Sequence, residues 1–327
     1  MFAVVLVGGF GTRLRPLTNE IPKPLLPLGQ RTILEWLMVH LARGGVTDAV
    51  LALGFKPQPF LERFPDARCA GVRLHYAIES SPLDTAGAIG FAARSVGLDS
   101  GREAFVVANG DIVTDLSIAD LVAEHAINAR QGALATIHLT PVDDPSQFGV
   151  VEFDQPVEAT GRRVVRGFVE KPAPGTTMSR HVNAGTYVMQ PELLRRLPGD
   201  APLSVERVTF PELAKDHALF AHPTADYWLD AGRPETYVRA NLDLVSGVRH
   251  DREDAVHRSA RIDATARVTN SVVGAGATVG PGATVSDSVV FAGSNIGADA
   301  RVRNSAILGD VHEGAEVQDA LVGPDGV

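Results

Sequence analysis

A loop rich in glycine and basic residues follows the first apolar run of the sequence. Its glycines, threonine and cations are Gly8, Gly9, Gly11, Thr12, Arg13, Arg15 and Lys23. Glycine backbone amides can approach phosphate oxygens closely, a guanidinium can grip them with two donors, and lysine adds a point charge. The loop lacks both the Gly-Lys-Ser/Thr of a P-loop and the G-x-G-x-x-G of a dinucleotide site. It therefore indicates a different kind of site for a strongly anionic ligand.

The elements that must position this loop alternate between strands and helices. Apolar runs at residues 3–7 and 49–54 predict buried strands, residues 104–111 predict a strand that runs into a turn, and residues 133–140 predict a further strand. Thr32 and Glu35 have the spacing of a capping box, and Ser117 is placed to cap a second helix that runs to about residue 130. This order predicts an α/β, Rossmann-like domain with a mixed, mostly parallel sheet. The glycine-rich loop and "NGD" (Asn109–Asp111) both follow strands, where such sheets bind ligands.

Composition excludes several classes of protein. The chain has 327 residues, 39 acidic and 30 basic, with a formal net charge of −9, which argues against broad nucleic-acid binding. Cys69 is the only cysteine, so no intrachain disulfide is possible and a reducing cytoplasm is expected. No apolar stretch approaches the roughly 20 residues that span a bilayer, so we expect no membrane partner.

The tail beyond about residue 256 repeats itself. "VTNSVV", "VSDSVV", "VRNSAI" and "VQDALV" begin 17, 17 and 15 residues apart. The aliphatic positions between them are Val256, Ile262, Val268, Val273, Val279, Val285, Val290, Ile296, Val302 and Ile307. Such a period predicts a short left-handed β-helix of hexapeptide repeats. We expect a domain at 1–247, and a second at 248–327 that contains a charged linker and this β-helix.

Six motifs in order give the first domain a family resemblance. They are "GGFGTRL" with "PKP" (Gly8–Leu14, Pro22–Pro24), "NGD" (Asn109–Asp111), "FGVVEFD" (Phe148–Asp154), "FVEKP" (Phe168–Pro172), "NAGTYV" (Asn183–Val188) and "YWLDAG" (Tyr227–Gly232). Together they resemble the sugar-1-phosphate nucleotidylyltransferases, among which a hexapeptide tail is common. That family joins a nucleoside triphosphate to a sugar 1-phosphate and releases pyrophosphate. The resemblance implies that the opening loop binds a triphosphate.

The resemblance also implies roles for single residues. Arg13, Lys23 and Lys171 would be catalytic, with Lys171 on the sugar phosphate. Asp111 and Asp230 match the family's metal aspartates, and Mg²⁺ often takes only one or two carboxylates plus substrate phosphates. Sugar contacts fall to Gly149, Glu170, Lys171 and Asn183. Nucleotide contacts fall to Gly8, Gly9, Gly11, Thr12, Glu79, Thr85, Gly87 and Asn109.

For four other residues, a structural role remains open or is preferred to a functional one. Arg15 is either a second phosphate contact or the partner of a nearby acid. Asp115 is interpreted as a turn or cap residue. His257 and His312 fall in the repeats, where related acyltransferases use a histidine, and are interpreted as solvated surface.

The base loop favours guanine. "ESSPLDTAGAI" (Glu79–Ile89) resembles the L-G-T-A-G form of mannose-1-phosphate guanylyltransferases, with Asp84 where glycine is usual. Thymidylyl and uridylyl members usually place glutamine where Glu79 stands. A carboxylate only accepts hydrogen bonds, and guanine offers N1–H and N2–H₂ as adjacent donors. We therefore expect GTP and mannose 1-phosphate as substrates.

Two alternatives stay open. The first is a glucose-1-phosphate thymidylyl-, uridylyl- or adenylyltransferase. The second is a non-catalytic regulatory subunit that binds a nucleotide sugar. The small, aliphatic coils at residues 274–285 predict a homo-oligomer formed through the C-terminal domain, the alternative being a tail that covers its own chain.

Overall fold

The computed structural model describes residues 1–9, 11–54, 57–154, 163–173 and 175–327. The chain divides into two compact units, each formed by three separate segments. The first contains Met1–Gly8, Met38–Gly110 and Leu116–Trp228, and the second contains Gly9–Leu37, Asp111–Asp115 and Leu229–Val327. The predicted domain boundary at 247/248 is a boundary in chain order, and it stays a prediction.

Six α-helices and fourteen strands precede the repeats in the described residues. The helices α1–α6 are Ile33–Arg43, Gln58–Arg63, Asp84–Ser95, Ile118–Ala129, Phe210–Lys215 and Pro234–Ser246. The strands β1–β14 are Phe2–Leu6, Pro27–Leu28, Arg31–Thr32, Asp48–Leu53, Arg68–Cys69, Val72–Ile78, Phe105–Asn109, Ile112–Thr114, Ala135–Pro141, Gly149–Phe153, Val165–Glu170, His181–Met189, Leu219–Pro223 and Trp228–Asp230. No helix in the described part of the chain is long and apolar enough to cross a membrane.

The first unit is built on a ten-stranded mixed sheet, as the sequence predicts. Its main path is β11-β10-β12-β7-β1-β4-β6-β5, and β9 joins β12 to β13. Strands β7, β1, β4 and β6 run parallel, as do β9 and β13. The apolar residues at the centre of β1 and β7 are almost fully buried, as in a parallel strand covered on both faces, and α3 packs on the sheet against β1 and β4. Asn109 ends β7, so the fold places "NGD" at the carboxyl end of a central parallel strand.

Local signals fix two helix starts where the sequence predicts them. The Thr32 N–H donates to Glu35 Oε2 at 2.7 Å, and the Glu35 N–H donates to Thr32 Oγ1 at 3.1 Å. This reciprocal pair is a capping box at the start of α1. Ser117 Oγ accepts the Asp120 N–H at 3.2 Å and begins α4. Both predictions are confirmed.

The repeats form a left-handed β-helix with three parallel sheets in the second unit. Its strands β15–β25 are Arg261–Ile262, Arg267–Thr269, Val272–Val273, Thr278–Val279, Thr284–Ser286, Val289–Val290, Asn295–Ile296, Arg301–Arg303, Ala306–Ile307, Glu316–Gln318 and Leu321–Val322. Paired residues stand 17 apart, as in Val268 with Val285, and 15 apart in the last coil. The predicted aliphatic positions from Val273 to Ile307 form the buried core. Of the earlier predicted positions, Ile262 and Val268 are partly buried against this core, and Val256, ahead of the first strand, is 38% exposed.

The outer surface of the β-helix corrects the physical basis of the assembly prediction. The aliphatic residues of 274–285, such as Val279 and Val285, lie in the core. Outward residues of two sheets are polar, among them Arg261 in the first and Arg267 in the second. The third sheet turns Val272 and Val289 outward, yet both are buried within the chain, where α6 packs against β17. An aliphatic face therefore exists, but its own chain covers it, and homo-oligomerisation stays a prediction.

Candidate active site

The glycine-rich loop has a backbone that only glycine adopts readily at one point. Gly11 has a φ of +59°, and a Cβ there would lie 3.0 Å from Thr18 Cγ2. A short 3₁₀ turn, Thr12–Leu14, begins directly after it. The side chains of Leu14 and Leu17 are fully buried and anchor the loop, whereas Arg13 and Arg15 are exposed. The buried leucines thus fix the loop to the protein, while the two arginine side chains face solvent. Phe10 lies outside the described residues.

Four charged side chains converge in the second unit. Lys23 is only 6% exposed, and its Nζ donates to Asp111 Oδ2 at 2.6 Å and to Asp230 Oδ1 at 3.3 Å. Gly232 marks where Arg13 joins them: a Cβ there would lie 3.0 Å from both Arg13 Nη2 and Lys23 Nζ, and 2.7 Å from Asp230 Oδ1. Residues that stand far apart in sequence therefore form one cluster of two cations and two carboxylates.

The donor set of this cluster fits a Mg²⁺ ion held together with substrate phosphates. Asp111 and Asp230 share one lysine and supply the carboxylate oxygens that Mg²⁺ prefers. Their side chains are 39% and 27% exposed, so water and phosphate oxygens can reach them. Among the described residues, no group of three or more His, Cys, Asp or Glu side chains could hold a metal ion. A two-carboxylate site completed by substrate oxygens is thus the kind that these residues suit.

Asn109 and Gly110 give the "NGD" turn its shape in the first unit. The Gly110 N–H donates to Leu6 O at 2.8 Å, and a Cβ on Gly110 would lie 2.6 Å from Val7 Cγ1. Glycine is required there because the turn folds back onto β1. The side-chain oxygen of Asn109 is buried without a hydrogen-bond partner in the described structure. A buried acceptor without a hydrogen bond destabilises the folded protein. The Asn109 oxygen is therefore suited to accept a hydrogen bond from a bound ligand.

The backbone of the base loop, residues 79–89, shows why Asp84 can replace the glycine of the guanylyltransferase pattern. Asp84 has a φ of +54°, the left-handed conformation for which glycine is the usual residue and which aspartate tolerates. Its Oδ1 accepts the Thr85 N–H at 2.7 Å. Aspartate therefore supports the same turn. Glu79 is half-buried and accepts the Leu83 N–H at 3.2 Å, and burial raises the pKa of its carboxyl group.

Two other residues predicted to bind nucleotide already have structural partners. Thr85 Oγ1 donates to Glu206 Oε2 at 2.6 Å and accepts the Val205 N–H at 2.8 Å. Gly87 is buried, and a Cβ there would lie 2.5 Å from Ala201 O. The structure thus gives Thr85 and Gly87 roles in holding α3 against the following loop, and their contact with nucleotide stays a prediction.

The residues predicted to bind sugar gather around the β10–β11 pair. Gly149 pairs with Glu170, and a Cβ on Gly149 would lie 2.8 Å from Glu170 Oε2 and 2.6 Å from Phe168 Cζ. Burial, and then the negative charge of Glu206, raises the pKa of Glu170. Lys171 follows with a φ of +49°, which is strained backbone of the kind found at functional sites. Its Nζ lies 3.8 Å from Glu170 Oε1.

Asn183 stands beside an irregularity in β12. The strand pairing shifts register between Asn183 and Tyr187, a bulge of the kind that re-aims side chains near active sites. Asn183 Nδ2 donates to the Tyr187 hydroxyl at 3.0 Å, and its Oδ1 accepts the Gly185 N–H at 3.0 Å. The amide is therefore held in one orientation.

Sequence reasoning missed two features. Glu206, in a π-helix at Val205–Thr209, links Thr85 to the surroundings of Glu170, and π-helices often mark functional sites. Asp115 is not the simple turn or cap residue expected, because it forms a buried ion pair with Arg249 at 2.9 Å.

Arg15 forms no ion pair among the described residues, so an acidic partner is not found. His312 is exposed and His257 hydrogen-bonds Ser259.

Comparison with known proteins decides the family. Residues 2–247 match the family described as nucleotidyl transferase. The chain belongs to this family. This nucleotidyltransferase also matches, at residues 251–325, the GlmU-like C-terminal hexapeptide family. The predicted resemblance and fold class are confirmed.

Curated relatives and solved structures agree with this family. A mannose-1-phosphate guanylyltransferase of Mycobacterium tuberculosis is 37% identical to this chain over 290 residues. The aligned region covers 86% of this chain and 77% of the Mycobacterium protein. A mannose-1-phosphate guanyltransferase of Schizosaccharomyces pombe is 34% identical, with 86% and 73% covered. The crystal structure of HddC from Yersinia pseudotuberculosis superimposes with a TM-score of 0.59 at 28% identity, covering 73% of this chain and 97% of HddC. A second HddC structure, complexed with GMP-PN, has a TM-score of 0.57 at 27% identity, with the same coverage.

Proposed function

We propose that the chain transfers a guanylyl group from GTP to mannose 1-phosphate, with Mg²⁺, and releases pyrophosphate. The observation that carries this proposal is the cluster in which Lys23 bridges Asp111 and Asp230 beside Arg13. It combines cations for phosphate oxygens with carboxylates for a metal. The names of the Mycobacterium and Schizosaccharomyces relatives, both mannose-1-phosphate guanylyltransferases, support the choice of substrates.

The proposed reaction needs positive charge rather than a base. A phosphate oxygen of mannose 1-phosphate attacks the α-phosphorus of GTP, and the bond from that phosphorus to the bridging oxygen of the β-phosphate breaks. Pyrophosphate leaves with the bonding electrons. The attacking oxygen is already ionised at neutral pH, so no proton has to be removed. The barrier lies in bringing polyanions together and in stabilising the leaving group.

Each cationic side chain of the site would lower that barrier by neutralising a particular phosphate group. Arg13 would hold the triphosphate with two parallel hydrogen bonds, and Lys23 would place a buried charge against it. The amides of Gly8, Gly9, Gly11 and Thr12 would donate to phosphate oxygens. Lys171 would neutralise the sugar phosphate. When bound through Asp111 and Asp230, Mg²⁺ supplies positive charge that offsets the charge on the phosphates.

Specificity falls to the acceptors of the first unit. Glu79 would accept from guanine N1–H and N2–H₂, and the free side-chain oxygen of Asn109 offers one more acceptor. Glu170, Asn183 and the Gly149 backbone would bind sugar hydroxyls. The complex of HddC with GMP-PN supports a guanine nucleotide, since that protein shares the fold at 27% identity.

A nucleotide panel tests the proposal. Pyrophosphate release is measured with purified protein and Mg²⁺ across GTP, UTP, dTTP, ATP and CTP, each with mannose and glucose 1-phosphate. GTP with mannose 1-phosphate is expected to give the highest kcat/KM. A preference for dTTP, UTP or ATP would replace guanylyl transfer with the corresponding glucose-1-phosphate reaction. Tight binding of a nucleotide sugar without turnover of any pair would instead identify a regulatory subunit.

A further inference from the structure

A buried ion pair joins the residues after α6 to the strand that follows the proposed metal ligand. The side chains of Arg249 and Asp115 are 4% and 5% exposed. Arg249 donates to Asp115 Oδ1 from Nη2 at 2.9 Å and from Nε at 3.1 Å. The other carboxylate oxygen, Oδ2, accepts the backbone N–H of His250 at 2.9 Å. Both oxygens of Asp115 are therefore engaged by one two-residue segment.

This pair lies one short strand away from Asp111, one of the two metal candidates. Asp111 is followed at once by β8 (Ile112–Thr114), and Asp115 follows β8. Arg249 Nη2 also donates to Thr114 O at 3.4 Å. Strand β8 pairs with β14, whose last residue is Asp230. Asp115 is four residues beyond Asp111, so at about 3.3 Å per residue about 13 Å of extended backbone separates the ion pair from Asp111.

The surroundings of Arg249 restrict its guanidinium to one position. The guanidinium carbon, Cζ, lies 5.9 Å from the centre of the Trp36 ring, which is within the range of a cation–π interaction. After Arg249, Glu253 accepts the Gln30 N–H at 2.6 Å, and before it the Val248 N–H donates to Asp243 O at 3.1 Å, so the segment is held on both sides of Arg249. A buried ion pair adds little net stability compared with apolar residues, and its best-attested use is to specify one arrangement. Here the arrangement specified is that of the end of β8.

We infer that Arg249 is a positioning residue for the Mg²⁺ site, acting through Asp115 and β8 on Asp111. The inference rests on the proposed function, because it assigns Asp111 to the metal. Arg249 itself would contact neither the metal nor the substrate. It links the segment that begins the β-helix domain to the metal strand, so the junction of the two predicted domains sets how tightly the metal binds.

The test separates positioning from stability. Arg249→Met removes the charge and keeps the length of the side chain, Arg249→Lys keeps the charge without the planar fork, and Asp115→Asn keeps the shape of the partner. Mn²⁺ binding to each full-length protein with GTP present is measured by electron paramagnetic resonance, beside the apparent KM for Mg²⁺, kcat at saturating Mg²⁺, and thermal unfolding. Loss of a residue that orients a metal ligand typically weakens metal binding at least about tenfold. We expect that loss in Arg249→Met and Asp115→Asn, with kcat recovered at saturating Mg²⁺ and KM for mannose 1-phosphate unchanged.

Arg301→Met is the matched control. It breaks the exposed Arg301–Glu316 pair, at 3.2 Å, on the β-helix, and metal binding should not change. The inference is overturned if Arg249→Met unfolds at a lower temperature yet binds Mn²⁺ as tightly as the wild type. It is equally overturned if none of the three variants folds, since the pair would then be a folding element. A wild-type protein whose turnover ignores Mg²⁺ would instead refute the proposed function.

Discussion

Substitution of Gly232 by alanine probes the charged cluster without removing any charged group. The φ of Gly232 lies outside the left-handed region, so its backbone accepts alanine. The new Cβ would lie 2.7 Å from Asp230 Oδ1 and 3.0 Å from Arg13 Nη2 and Lys23 Nζ. Ordinary contact begins at 3.4 Å. The carboxylate oxygen must therefore move by about 0.7 Å (3.4 minus 2.7) and each cation by about 0.4 Å (3.4 minus 3.0), because neighbouring atoms cannot interpenetrate.

The displaced atoms are the ends of side chains, so the cost should appear in activity rather than folding. Misplacement of catalytic groups by about 1 Å can cost about 100-fold in rate, and we expect Gly232→Ala to lower kcat about 10- to 100-fold. Stability should stay within about 1 kcal/mol of the wild type, because alanine also restricts the unfolded chain.

The assay is steady-state pyrophosphate release beside thermal unfolding. Gly167→Ala is the control, since a Cβ there meets nothing closer than Glu152 Oε2 at 3.6 Å, and it should leave both measurements unchanged. If Gly232→Ala kept the wild-type kcat and KM for Mg²⁺ while folded, Arg13, Lys23 and Asp230 would not form the reacting cluster.

Three further predictions concern the base, the sugar and the tail. Glu79→Gln should raise KM for GTP about tenfold or more, because a carboxylate that accepts two donors is lost. In the wild type, the raised pKa of Glu79 means that KM for GTP should climb as pH falls, at a higher pH than an ordinary glutamate would give; a flat profile matching that of Glu79→Gln would contradict the assignment. Gly149→Ala should push on Glu170 and raise KM for mannose 1-phosphate about tenfold while KM for GTP stays constant, and equal effects on both substrates would refute its placement at the sugar. Truncation after Ser246 should lower the unfolding temperature and weaken Mg²⁺ binding, since α6 is uncovered and Arg249 is lost, while measurable transfer persists; light scattering that shows an unchanged oligomeric state would contradict assembly through the tail.

Local features of this fold could be predicted because their causes are close in sequence. The Thr32–Glu35 capping box and the Ser117 cap each involve residues three apart. The core of the β-helix could be predicted because a 17-residue period returns the aliphatic positions from Val273 to Ile307 to the interior. Val256 breaks the pattern because it precedes the first strand, where no preceding coil covers it.

The site could be predicted only in part. Motif resemblance named Lys23, Asp111 and Asp230, but their convergence depends on contacts across 88 and 207 residues. The Asp115–Arg249 pair spans 134 residues and neither residue lies in a recognised motif, so no local pattern identified it. The outward aliphatic face of the β-helix could not be assigned to assembly or to its own chain from periodicity, because burial by α6 is a tertiary contact.

Direct observation of both products tests the central claim. The purified chain is incubated with Mg²⁺, GTP and mannose 1-phosphate, and GDP-mannose and pyrophosphate are quantified together, beside Lys23→Met. We expect equal amounts of the two products from the wild type. Loss of a charge that stabilises the transition state costs about 100- to 1,000-fold in kcat, and Lys23→Met should fall by that much. A wild-type protein that forms no GDP-mannose, or a folded Lys23→Met that forms it at the wild-type rate, would contradict the account.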